Sequence, residues 1–179
     1  MSEEKRFQQL MVNAVTAAQN SRWRESGDYY KAMVTFDTQN PRILNVKYYQ
    51  LSGYCSILVE NQTTPTAEDF RFLKEMGNNA AYPAVYRVRA LFTKGFCKWY
   101  NNADREGAAR SYRKAIYIGE SATASEKSLL HMAILPSGEL PASTIIAEWA
   151  NASKDNLSIL MGTKTTPFTP TARAISKKF

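Results

Sequence analysis

The stretch from Tyr82 to Glu120, YPAVYRVRALFTKGFCKWYNNADREGAARSYRKAIYIGE, decides how the chain is read. Val85, Val88, Phe92, Phe96, Trp99 and Ala103, with Leu91 and Gly95 beside them, recur at the spacing of one helix face. Pro83 suits a first helical turn. Asn101-Asn102 interrupts the pattern. Asp104 is placed to cap a second helix, and Glu106 complements the positive end of its dipole. Ala108, Tyr112 and Ala115 then share a face, and Gly119 is a natural stop. Arg87, Lys94 and Lys98 fall on another face of the first helix. The stretch is therefore a helical hairpin with an apolar seam and a basic flank.

On these residues the hairpin resembles the tetratricopeptide repeat, a helix-turn-helix unit of about 34 residues with small side chains where its two helices touch. With a unit begun at Arg89, the small, aromatic and small residues of the family's second helix fall on Ala108, Tyr112 and Ala115. An expected aromatic falls on Trp99. The sequence departs from the family at Gly95-Phe96, where the usual order is a large residue and then glycine. It departs again at Glu120, where the family places proline. A second, earlier unit resembles the family over residues 13–41. There Gly27-Asp28-Tyr29 stands where a turn is expected, Ala32 and Phe36 occupy second-helix positions, and Trp23 is the counterpart of Trp99. Asn20 and Gln39 do not fit.

Outward from the hairpin, the same spacing predicts further helices. One covers 4–24, with Phe7, Leu10, Met11, Ala14, Val15 and Ala18 on one side. Another runs from Ile43 to Glu60 and is apolar on two faces. A short one runs from Ala67 to Met76, capped by Thr66, with Glu68 and Asp69 in its first turn and Phe70, Leu73 and Met76 inward. Two more are expected over 123–134 and 141–161, the latter carrying Ile145, Ile146, Trp149, Ala150, Leu157, Leu160 and Met161. Residues 163–179, with two Thr-Pro steps, form a basic tail that adds little to a core.

No strand pattern is present. The fold expected is all-α: a right-handed α-solenoid of about three helix-turn-helix pairs, as the resemblance implies, with C-terminal capping helices. Its hairpins lie near 4–37, 43–77 and 83–119, within one domain over 1–162. A plain helical bundle without repeats is the alternative.

The 179 residues, 44% hydrophobic and 22% charged, are long enough and apolar enough to build a core. No run of 18 apolar residues and no signal-peptide pattern occurs, so an intracellular, cytoplasmic or nuclear place is expected, with Cys55 and Cys97 as free buried thiols. The net charge of +7 is uneven. Residues 1–81 balance nine basic against nine acidic side chains, whereas 82–118 carry eight basic and two acidic.

Chemistry-bearing motifs are absent. There is a single histidine, His131, no CxxC, no glycine-rich phosphate loop and no GxSxG elbow. The chain is expected to be non-enzymatic, with no metal or cofactor. Binding remains. The resemblance implies a groove formed by first-helix positions, here Lys47, Gln50, Tyr54 and Ile57 in one unit and Ala90, Thr93, Cys97 and Tyr100 in the next. The first reading is a scaffold or adaptor that holds an acidic or amphipathic peptide or helix of a partner protein. Its candidate contacts are Lys47, Tyr54, Arg87, Lys94, Lys98, Arg110, Arg113 and Lys114. The lysine and asparagine with which some family members hold acidic chaperone tails are replaced here by Ala17 and Ser21, so that partner is not expected. The second reading is RNA binding by the basic face of 87–114, with Tyr86, Tyr100 and Tyr117 available for stacking. Self-association through an uncapped end is a third.

Overall fold

A computed structural model describes residues 1–60, 63–124 and 142–162. They are helical, with no strand among them, and no helix among them is long and apolar enough to cross a membrane. The helix expected over 123–134, His131, Pro141 and the tail over 163–179 lie outside the described residues, apart from the first two positions of that helix. Where the composition suggests one domain over 1–162, the chain divides into two compact units, Met1–Thr63 and Thr64–Phe179.

In the first unit α1 spans Glu3–Gln19, α2 Trp23–Val34, α3 Pro41–Leu44 and α4 Lys47–Glu60. Ser2 caps α1 by accepting the Lys5 amide at 3.2 Å, and Glu3 and Glu4 occupy its first turn. The helix predicted over 4–24 stops at Gln19, because the chain turns at Ser21 with φ 59°. Gly27-Asp28-Tyr29 is consequently inside α2 and not a turn. The helix predicted over 43–60 is also broken, at Asn45 and Val46. α2 packs on both α1 and α4. Phe7, Ala14, Met33 and Ile43 form a core over which Leu10, Met11, Phe36 and Val46 close, the Phe7 and Phe36 rings meeting edge-on at 5.6 Å.

In the second unit α5 spans Ala67–Asn78, α6 Ala84–Asn102, α7 Arg105–Ser121 and α8 Ala142–Leu160. Thr66 and Asp69 form a reciprocal capping box at the start of α5. Pro83 stands just before α6 and not in its first turn. Ala103, at φ 52°, ends α6, and Asp104 caps α7 through the Gly107 amide at 2.9 Å. α6 packs against α5, α7 and α8. Most of its length is buried as a result, and Arg87, Lys94 and Lys98 are the cations that reach its surface.

Two glycines permit close helix approach. A Cβ at Gly95 would lie 2.9–3.1 Å from the Tyr112 ring, and one at Gly53 would lie 3.0–3.1 Å from the Tyr30 ring. α8 then seals the second unit with Trp149, which is fully buried, 4.8 Å from the Phe92 ring and 3.8 Å from the Arg89 guanidinium. Met161 does not join this core. It lies past the helix end and is 62% exposed.

Candidate basic cleft of the second unit

The eight candidate contact residues separate into three groups. The first comprises Lys47 and Tyr54 on α4. Tyr54 is fully buried, packed beside Gly27, with the Lys31 ammonium 6.0 Å from its ring centroid. It is a core residue of the first unit, not a groove contact. Lys47 is half-buried, and its Nζ donates to the Phe36 carbonyl. Burial pushes its pKa below the ordinary lysine value, against the opposing pull of Asp37. The groove that the resemblance implies is also closed elsewhere, since Gln50, Ile57, Ala90, Thr93 and Cys97 are buried. On α6 the cause is its packing against α5, α7 and α8, which leaves Ala90, Thr93 and Cys97 no exposed inner face.

The second group is structural or points elsewhere. Arg87 donates from Nε to the Gly77 carbonyl at 3.0 Å, satisfying a carbonyl in the last turn of α5. Arg113 faces a different cleft, of about 420 Å³, between α7 and the end of α8, where its Nη2 is 3.5 Å from the Met161 sulfur. Arg105 and Arg110 line the same cleft, and Arg105 donates to the Leu160 carbonyl at 2.7 Å.

The third group converges. Lys94 and Lys98 from α6 and Arg110 and Lys114 from α7 line one cleft of about 240 Å³. Their spacing explains the meeting, because residues four apart stack along one side of a helix and the two sides face each other across the α6–α7 seam. Leu91 and Gly107 also line the cleft, with Ser111 beside them and Asn78 contributed by α5. Lys114 Nζ donates to Asn78 Oδ1, and Lys98 Nζ lies 4.7 Å from the Phe70 ring centroid, so two of the three ammonium groups are held in place.

The described residues lining the cleft include no carboxylate. The nearest acids neutralise it weakly. Asp104 stands 4.0 Å from Lys98 and already accepts from the Gly107 amide, and Glu106, 92% exposed at its side chain, stands 4.0 Å from Arg110. Lys94 registers the imbalance. Its pKa is pushed below the ordinary value first by burial and then by Lys98, Lys74, Arg110 and Lys114.

Spacing within α6 alone pairs Lys94 with Lys98 and groups Arg87 with them. It gives no sign that Lys74, Asn78 and Ser111 belong to the same neighbourhood, because they come from other helices or from the buried side of α7. The aromatics named for stacking are only partly available. Tyr86 is buried and stacked on Tyr82 at 6.2 Å, Tyr100 is stacked on Phe96 at 5.7 Å, and Tyr117 is 70% exposed. No known family, curated protein or solved structure gives a significant match to this chain, so its chemistry is argued from its own side chains.

Proposed function

We propose that the chain is a non-enzymatic protein-interaction module, and that the basic cleft between α6 and α7 takes up an acidic segment of a partner protein. The carrying observation is the convergence of Lys94, Lys98, Arg110 and Lys114 on one cleft whose described lining has no carboxylate. Cations held this close repel one another, and an anion relieves the repulsion while making charge-assisted hydrogen bonds. The tetratricopeptide-like reading of residues 89–122 is compatible with such a role and is supported by the α6–α7 turn at Ala103-Asp104. The RNA-binding alternative has less support. Of the six basic residues that would form its track, Arg87 is engaged with a backbone carbonyl and Arg113 lines a different cleft.

The test is fluorescence anisotropy with labelled Asp/Glu-rich peptides at low and at physiological salt. The wild-type chain is expected to bind with salt-dependent affinity. The double variant Lys94→Glu, Lys98→Glu is expected to lose about tenfold or more, the scale of one charged pair reversed, with an unchanged circular dichroism spectrum. Equal binding by the two proteins would remove the basis of the reading.

A further inference from the structure

Resting on that reading, we infer that the group the cleft recognises is a phosphomonoester, carried as phosphoserine or phosphothreonine on the partner's acidic segment. The cleft has the charge count for it. Four cations surround it directly, with Lys74 near enough to act on Lys94. A single carboxylate brings one charge and two oxygens, which leaves most of these cations unanswered. A phosphomonoester brings about 1.5 to 2 negative charges near neutral pH and three strong acceptor oxygens. That is enough to engage the Arg110 fork and two ammonium groups at once.

Size supports the same choice. At about 240 Å³ the cleft is smaller than the roughly 300 Å³ from which drug-sized pockets begin. It admits a tetrahedral head group and the first atoms of its carrier, not a folded ligand. The walls also disfavour a nucleotide. No aromatic is among the described residues lining the cleft, and the nearby Phe70 ring already has the Lys98 ammonium over it. A base would therefore find nothing to stack on.

Geometry adds preorganisation. Lys114 is tethered to Asn78 and Lys98 lies over Phe70, so part of the ordering cost of binding is met before the ligand arrives. Gly107 forms part of the wall, and a Cβ there would sit 2.3 Å from the Asp104 carboxylate. The residue that lines the cleft is thus also the one that lets the α7 cap close.

Calorimetric titration of the full chain with one acidic peptide in three forms tests this: serine, phosphoserine, and glutamate in place of serine, with the phosphoserine form also titrated in competition with inorganic phosphate. The phosphoserine form is expected to bind about tenfold or more tightly than the glutamate form. That advantage is expected to vanish in Lys94→Gln, Lys98→Gln and, separately, in Arg110→Gln, Lys114→Gln, with circular dichroism confirming the fold. Displacement by inorganic phosphate supports the assignment. Equal affinity for the serine, glutamate and phosphoserine forms overturns the phosphate inference and leaves the acidic-segment reading standing. Absence of binding to every form overturns both. Tighter binding of single-stranded RNA, or of vesicles containing a phosphoinositide, with no phosphopeptide binding transfers the cleft to another class of partner and overturns the inference.

Discussion

The hairpins α1–α2 and α6–α7 begin from similar sequence and end differently. Each carries a tryptophan, a Gly-Asp or Asp-Arg-Glu-Gly segment and a following alanine and aromatic, and each turns through a non-glycine residue in the left-handed region, Ser21 at φ 59° and Ala103 at φ 52°. In α6–α7 the turn comes just before Asp104, which caps the next helix, and Trp99 belongs to the helix that is ending. In α1–α2 the turn comes at Asn20–Arg22, Trp23 opens the second helix, and Gly27-Asp28 is helical. The reason is packing. Ser26 Oγ donates to the Ala14 carbonyl at 2.8 Å, and Gly27 is buried against Tyr54 and Ile57, on the face of α2 that packs on α4.

The cations diverge in the same way. In the first unit Lys47 is bonded to a backbone carbonyl and Lys31 lies over a ring. In the second unit Lys94 is half-buried among like charges. The first arrangement serves stability. The second gathers like charges at a surface.

The largest test of this contrast is Tyr54→Ala. Removing a fully buried aromatic is expected to cost about 3–5 kcal/mol, read by urea unfolding. Binding at the basic cleft by the remaining folded protein should be unchanged, and loss of that binding would contradict the assignment of Tyr54 to the core alone.

Next come the two turns. L-residues in the left-handed region cost about 1–2 kcal/mol, part of which glycine returns in the unfolded chain. Ala103→Gly and Ser21→Gly are each expected to stabilise by roughly 0.5–1 kcal/mol, measured by thermal unfolding. A stabilisation at only one of the two would show that the turns are not equivalent.

The smallest effect concerns Lys94. Its folded pKa is below the ordinary 10.5. As pH rises through the folded value toward 10.5, the folded chain releases this proton first and the unfolded chain holds more protons, so stability rises across that window. Lys94→Met removes both the cost of burying the charge and the repulsion from its neighbours. It is expected to be the more stable protein at neutral pH by up to about 0.5 kcal/mol after solvent screening, with the gap closing as pH approaches 10.5. A gap that widens with pH would show that the buried, like-charged surroundings of Lys94 do not disfavour its charged form.

Local order determined much of this protein. The helix class, the α5 capping box at Thr66, the Asp104 cap of α7 and the apolar face of α8 around Trp149 all follow from spacing and end residues, because helix hydrogen bonds and caps are made within a few positions of chain. The excess positive charge over residues 82–118 is likewise plain in composition. Tertiary structure decided the rest. The division at Thr63 and Thr64, the burial of Tyr54, the engagement of Arg87 with Gly77 and the separation of Arg113 from Lys114 depend on which helix packs on which side. Burial and electrostatic neighbourhood are set by residues far apart in sequence, so a lysine's spacing gives its helix face, and only its neighbours across the seam make that face a site.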